Sequence, residues 1–376
     1  MTGLKTFFRE ENKNTLLLRI ACLCWFLGKL MSWRIWTTHR LLPTAPLFRS
    51  LDLIPPVVQT IVFALSLFLV IAVFVRCNRF FLTSLLVLEI FSCLLDQNRW
   101  LPWEYFYVFI IFIFLVNAGT PGYKTSCIAF LLVATYFYSG LCKLNEGFVH
   151  VVWINLMLRN TLHISSTISD QAYVHSGGYL LGLMEMFAGL GLLFVKTQKK
   201  SAIILIGMHV AILLFLFSLG FKHYEVLWPW NITLGLFLYF IFLKDNEGSL
   251  TFQPVTKGWN KLVLVCWGIL PVLSFWGYWD KNLSSNLFSA NVPEMFICVK
   301  DTSACKPIRK FCNKKDSRNI CNGEAVIDIQ SWARRETNAS VDPELRVYKA
   351  MQEKLEKQYG AAGLTFVYFT GWSEKQ

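Results

Sequence analysis

Residues 55–75 read PPVVQTIVFALSLFLVIAVFV, and beyond the two prolines only Gln59, Thr60 and Ser66 are polar. A membrane-crossing helix needs about 20 mainly apolar residues. Residues 201–221, SAIILIGMHVAILLFLFSLGF, meet the same condition. Seven weaker segments follow the same reading, at about 16–34, 80–95, 101–118, 125–142, 176–195, 226–243 and 262–279. The expected fold is therefore an all-α integral membrane bundle of about nine transmembrane helices. Composition agrees: of 376 residues 55% are hydrophobic and only 16% charged, where soluble domains carry about 25% charged residues. A disordered chain, a coiled coil and a typical water-soluble enzyme are excluded.

The net charge of +12 has a topological reading. With the N-terminus cytoplasmic, the inner connections hold Lys196, Lys199, Lys200, Lys244, Lys257 and Lys261 among others. The outer ones hold Arg34, Arg40, Arg49, Arg99, Arg159 and Lys222. The positive-inside rule favours this orientation, and nine spans then put the C-terminal tail outside. The charge is thus assigned to orientation in a bacterial inner membrane or endoplasmic reticulum, and nucleic acid is not an expected partner.

Residues 280–376 differ from the spans at 1–279. They hold 15 Lys and Arg and 12 Asp and Glu, which is 27 of the chain's 60 charges. Residues 294–300 and 364–370 read as strands and 343–359 as an amphipathic helix with Pro343 at its first position. The expectation is a small extracytoplasmic α+β cap. Cys298, Cys305, Cys312 and Cys321 are even in number, closely spaced and on the expected outer side, so two disulfides are expected. Asn282 and Asn338 head N-x-S glycosylation sequons.

Ionisable residues inside spans are costly and mark candidate sites. Here they are Arg19, Lys29, Glu89, Lys143, Glu185 and His209. Arg19 reads as an anchor near a span end, and Lys29 with Glu89 as a structural ion pair. Glu185 and His209 sit near mid-membrane on consecutive spans. They read either as a mutual hydrogen bond or as a proton or ligand site in the bundle core. Lys143 ends the run YFYSGLCKLN (136–145). Gly140 permits close helix approach there, and a buried amine could serve as a base on an amphiphilic substrate. The outer turn Asp96–Glu104 is rich in Trp and polar residues and could form a mouth over Lys143, with His223 and Glu225 on the same side. No nucleotide-binding, zinc-protease or hydrolase motif is present, and the cysteine spacing does not suggest a metal.

The run YFYSGLCKLN resembles the fifth-span motif of the vitamin K-dependent gamma-carboxylase-like, or horizontally transferred transmembrane (HTTM), family. Five more stretches resemble that family in order: LLLRIACLCWFLGKL (16–30), LLDQNRW with the following YFY (94–107), INLMLRN (154–160), LLGLMEMFAGLGLLF (180–194) and GMHVAILLFLFSLGF (207–221). The resemblance implies Lys143 as a base on a vitamin K-like quinol, with His209 at a second family position. At Trp103 the chain departs from the family, which carries a functional His there, and it has no long lumenal region after the last span.

The resulting reading is a carboxylase-like membrane enzyme, with carbon–carbon chemistry coupled to a quinol, or a degenerate relative. Lys143, His209 and Glu185 are its catalytic candidates. Arg159, Trp100, Trp103 and Tyr105 are its substrate-binding candidates. Two alternatives stand beside it: a membrane scaffold whose cap engages a protein partner, and a redox-associated membrane component.

Overall fold

The structure is a computed structural model that describes residues 2–218, 224–244, 251–300, 305–312 and 319–371, with side chains from residue 12 onward. Lys222 and His223 lie outside the described residues. The bundle runs through α1 (Thr2–Met31), α2 (Pro56–Val75), α3 (Arg79–Leu95), α4 (Pro102–Val116), α5 (Pro121–Cys142), a π-helix (Phe148–Thr161), α6 (Ala172–Gly191), α7 (Gln198–Ser218) and α8 (Leu227–Leu238). A last segment, α9 (Gly258–Trp276), mixes 3-10, α and π turns. Prolines open α2, α4 and α5, where the missing N–H costs nothing and φ is already helical.

Among the described residues five helices are long and apolar enough to cross a membrane: Asn12–Met31, Pro56–Val75, Pro121–Cys142, Gln198–Ser218 and Gly258–Trp276. That corrects the expected nine. Pro102–Val116 and Leu227–Leu243 are apolar but shorter. The 17 residues of α3 rise only about 25 Å, less than the ~30 Å of hydrocarbon. Although α6 is long, it carries His175 and Glu185 and five glycines, which dilute its hydropathy. The fold remains compatible with a helical membrane bundle. Within it α5 is central, with 83% of its apolar window buried, whereas α2 and α7 are peripheral at 28%. The exposed residues of those outer helices are apolar, Leu65, Phe68 and Ile71 on α2 and Val210, Leu214 and Phe217 on α7. Apolar faces of this size suit hydrocarbon, not water.

The expected Lys29–Glu89 pair is present at 2.9 Å and gains a third member. Glu104, from the first turn of α4, lies 3.3 Å from Lys29 and accepts from Trp25 Nε1 at 2.6 Å. All three ionic groups are buried, and Ser66 donates to Glu89. Arg19 is exposed and lies over the Phe74 ring.

The cap is a three-stranded antiparallel sheet, ordered β2 (Ala325–Asp328), β1 (Glu294–Val299), β3 (Leu364–Phe369). Helices α10 (Ile329–Thr337) and α11 (Leu345–Tyr359) complete it, with Trp332, Tyr348 and Met351 in its core. Leu42 and Ala45 join that core from the connection after α1. Glu336 fixes this graft by accepting from the backbone N–H of Leu41 and Leu42 at 2.7 and 2.9 Å. Two of the three strands and α11 match the sequence reading, while β2 and α10 do not figure in it. Pro343 is not at the first position of α11, because the helix begins at Leu345 after Glu344 as N-cap.

One disulfide, Cys298–Cys321, is formed where two were expected. Cys298 is on β1 and Cys321 lies in the turn before β2, so the bridge ties neighbouring strands. Cys305 and Cys312 are thiols, and Cys305 lies buried in the cap core with Sγ 3.7 Å from the Gly363 carbonyl. Neither sequon holds an asparagine that is both exposed and unengaged. Asn282 is buried. Asn338 donates to Met31 O at 3.1 Å and accepts from Glu225 N at 2.9 Å.

The turn that precedes α4 is a fastening for the cap. Arg99 is fully buried and spends its guanidinium on Ile35 O, Ser92 O, Ser92 Oγ, Trp36 O and Gln59. Asn98 Oδ1 accepts from Asp342 N at 3.2 Å, and Gln97 Oε1 accepts from Arg346 Nε at 2.9 Å. Of residues 96–104, only Pro102 lines the cavity that contains Lys143, so the turn is not the expected mouth.

Candidate functional site: a polar cavity in the bundle

Tyr136, Ser139 and Lys143 are spaced by three and four residues and so share one face of α5. That face meets α6 at very short range. A Cβ on Gly140 would lie 2.4 Å from Met186 N and 2.6 Å from Gly182 O, and one on Gly189 would lie 2.8 Å from Tyr136 Cβ. Small residues are the usual means of close helix approach in a membrane. The consequence is chemical. Lys143 Nζ donates to Glu185 Oε2 at 2.5 Å and to Ser139 Oγ at 2.6 Å. Both partners of the ion pair are largely buried, at 14% and 7% side-chain exposure.

His209 is buried on α7 between two neutral partners. Its Nε2 is 2.7 Å from Tyr136 Oη, and its Nδ1 is 2.8 Å from Asn231 Oδ1. Asn231 lies on α8 and its Nδ2 donates to Leu227 O at 2.8 Å. Glu185 and His209 therefore do not bond each other, as one reading of the sequence had it. Each is drawn to α5 instead, Glu185 by Lys143 and His209 by Tyr136.

Both pairs line one cavity of about 300 Å³. Its other walls are mostly apolar and aromatic, including Met184, Met208, Phe215, Trp230 and Trp267. The π-helix Phe148–Thr161 contributes Phe148, Val152, Leu156 and Met157. Wide π turns inside helices are frequent at functional sites. Met184 of α6 and Ala211 of α7 line the cavity and are themselves exposed, which opens it sideways on the bundle's apolar flank. Ser285 and Phe288 line another side, from the segment that leads into the cap. Both hold positive φ, 55° and 58°, an uncommon conformation for a residue with a side chain.

The four expected substrate-binding residues stand outside this wall. Arg159 donates to Ser169 Oγ at 2.8 Å and Asn155 Oδ1 at 3.1 Å, and it pairs with Asp170. Tyr105 backs the cavity from behind, its ring stacked on Trp267 at 5.0 Å. Trp100 packs edge-on against Tyr105, and Trp103 against Tyr224. Trp103 also borders the packed space around Lys29 and Glu104. No group of three His, Cys, Asp or Glu among the described residues is arranged to hold a metal ion.

Tyr136, Ser139 and Asn231 were not singled out in the sequence. The signal for the first two was the three-and-four spacing that ends at Lys143. Asn231 is a neutral amide within an apolar helix, and a search confined to ionisable groups passes over it. Compared with protein-family models, curated proteins and solved structures, the chain matches none.

Proposed function

We propose that the protein is a membrane-embedded enzyme that takes a hydroxyl-bearing amphiphile of quinol size into the cavity between α5, α6, α7 and α8. The observation that carries this reading is the meeting of Lys143, Glu185 and His209. They come from three distant stretches of sequence and line one cavity of about 300 Å³. That volume is at the lower end for small-molecule sites, which are mostly apolar with a few convergent polar groups. It suits a ring-sized head group, with an apolar tail leaving past Met184 and Ala211. The polar set fits a quinol-like head: an ammonium at Lys143 for a developing oxyanion, and the hydroxyl oxygen of Tyr136, backed by His209, for the ligand's own hydroxyl. Such a ligand, once bound, would supply the acidic hydroxyl and the redox-active ring. Lys143 already shares its protons with Glu185 and Ser139, so its part is that of a cation facing the ligand oxygen. It becomes a base only after passing a proton to Glu185. Resemblance to the carboxylase-like family is part of this proposal, and carboxylation of a protein substrate is not.

The accompanying topology has the N-terminus cytoplasmic and the cap extracytoplasmic. In support, Asn338 of the cap touches Met31 at the end of α1, 30 residues of helix away from Thr2. Native mass spectrometry of the full chain, purified in mild detergent and titrated with a reduced naphthoquinone, tests the function. One equivalent should bind, and binding should fall at least tenfold in Lys143→Ala and in Met184→Trp, which plugs the flank. No binding to the folded wild type, or equal binding to all three proteins, would overturn the reading.

A further inference from the structure

The proton positions around His209 follow from chemistry. The Leu227 carbonyl can only accept, so the Asn231 atom 2.8 Å from it is the amide nitrogen. The carboxamide oxygen then faces His209 Nδ1 at 2.8 Å, and it too can only accept. Nδ1 therefore carries the proton. In the neutral ring Nε2 is bare, and the hydroxyl 2.7 Å away on Tyr136 must be the donor. Tyr136 has one proton and spends it on His209, which leaves the lone pairs of its oxygen as the open function. Tyr136 and His209 are both buried and both line the cavity. Among the described residues of the cavity lining, the other titratable groups are Lys143 of α5 and Glu185 of α6. Among the described residues that line the cavity, α8 contributes no ionisable group and α7 none besides His209.

We infer that Tyr136 and His209 form a proton-accepting relay for a ligand hydroxyl, with Asn231 as the positioning residue that holds the imidazole in the accepting tautomer. The step balances without an oxidant or reductant. The ligand O–H bond breaks as its proton moves to Tyr136 Oη, and the Tyr136 O–H bond breaks as that proton moves to His209 Nε2. Tyrosine is restored, His209 becomes imidazolium, and the ligand oxygen is left as an anion in the cavity that Lys143 lines. Each transfer runs along a hydrogen bond already set or supplied by the ligand, within the reach that general-base catalysis requires. The relay assigns to His209 the proton that the sequence reading gave to Lys143. It rests on the proposed occupancy of the cavity by a hydroxylated amphiphile.

The test uses the full chain in lipid nanodiscs and a long-chain alkyl 4-nitrophenol, whose phenol and phenolate forms absorb at different wavelengths. Its methyl ether, which has no proton to give, measures occupancy alone. The wild type should bind both probes. The bound phenol should ionise at least tenfold more readily than in empty nanodiscs, a shift of about one pH unit. Tyr136→Phe and His209→Gln should keep methyl-ether binding within about threefold and lose most of the ionisation shift. Asn231→Asp, which still accepts from Nδ1–H and adds charge behind it, should move the ionisation curve to still lower pH. Asn231→Leu should abolish the shift. If Tyr136→Phe binds the ether and retains the full shift, the effect comes from Lys143 alone and the relay is overturned. If the wild type binds neither probe, the occupancy proposal fails instead, and the two failures are distinct.

Discussion

Lys143 Nζ and Glu185 Oε2 are 2.5 Å apart across a helix interface in which Gly140 leaves no room for a side chain. The two facts are one arrangement. Lys143 is three residues beyond Gly140, and Glu185 is three beyond Gly182, the residue whose carbonyl faces Gly140. The backbone contact sets the distance between the helices, and that distance lets a lysine and a glutamate meet away from water. The pair is neutral as a whole, which makes two charges tolerable in an apolar bundle.

Removing one partner leaves the other charge buried and unpaired. Lys143→Met or Glu185→Leu alone should cost about 3–5 kcal/mol. The double change Lys143→Met with Glu185→Leu should cost much less than the sum. Thermal unfolding of the four proteins in one detergent completes the cycle. Additive losses would mean that the two side chains do not interact.

Gly140 should be the least tolerant glycine of the bundle. Even Ala places a Cβ against Met186 N and the Gly182 carbonyl, backbone atoms that can yield only if the helices separate. Overpacking of this kind costs about 1–3 kcal/mol. Gly207 and Gly235 have nothing within 4 Å of the added carbon, so Ala there should be near neutral or slightly stabilising. Equal melting temperatures for Gly140→Ala and Gly207→Ala would contradict the close contact.

The oxidised protein should carry one disulfide. Of 11 cysteines, two are bridged, so a denaturing titration without reductant should find nine thiols, where a second bridge would leave seven. The bridge closes a separation of 23 residues, and losing it through Cys298→Ser should cost about 3 kcal/mol by loop-closure entropy. Cap unfolding followed by tryptophan fluorescence, Trp332 being in the cap core, reads that loss.

Sidedness can be read from two cysteines. Cys77 is exposed in the connection between α2 and α3, and Cys312 is half-buried in the cap. Leu42 and Ala45 of the cap core precede α2 in sequence. The 20 residues of α2 then carry the chain about 30 Å to Cys77. An impermeant maleimide on intact cells should modify Cys312 and spare Cys77. The reverse pattern would invert the proposed topology.

How much of this was legible in the sequence depended on what each signal measures. The apolar runs at 55–75 and 201–221 report apolar surroundings, and the described residues of both are helical, in Pro56–Val75 and Gln198–Ser218. Windowed hydropathy could not count spans correctly, because α3 and α4 are short elements held by tertiary contacts. The Lys29–Glu89 pair was readable because matching depth is a one-dimensional property. Glu104 escaped because it follows a proline after a turn and enters the cluster only when the chain folds back. Lys143, Glu185 and His209 were each visible as costly charges. Which of them pair was not, and Tyr136 and Ser139 look like ordinary helix residues until the neighbouring helices are placed.

The clearest pH dependence should come from Asp342, at the seam between the cap and the turn before α4. Its side chain is buried, neither carboxylate oxygen has a hydrogen-bond partner among the described residues, and Arg346 stands off at 3.6 Å while bonding Asp280 at 2.7 and 2.6 Å. Burial pushes the Asp342 carboxyl well above its ordinary value of 3.8, with Asp280 and Glu344 adding to the rise and Arg346 opposing it. Glu344 is raised too, chiefly by burial. An acid whose folded value is raised binds its proton more tightly in the folded protein. Its contribution is therefore complete below 3.8 and is lost as pH climbs through the raised folded value. Asp96 works in the opposite direction. Burial would raise it, yet Arg40 and Arg99 hold it below its ordinary value, so its contribution is lost on the acid side. The difference between wild type and Asp342→Asn isolates the first effect. Asp342→Asn should leave cap stability near pH 4 almost unchanged and raise it at pH 7 by about 1–3 kcal/mol, the penalty of an unsatisfied buried group. Parallel stability profiles for the two proteins from pH 4 to pH 8 would show that Asp342 keeps its charge at no cost.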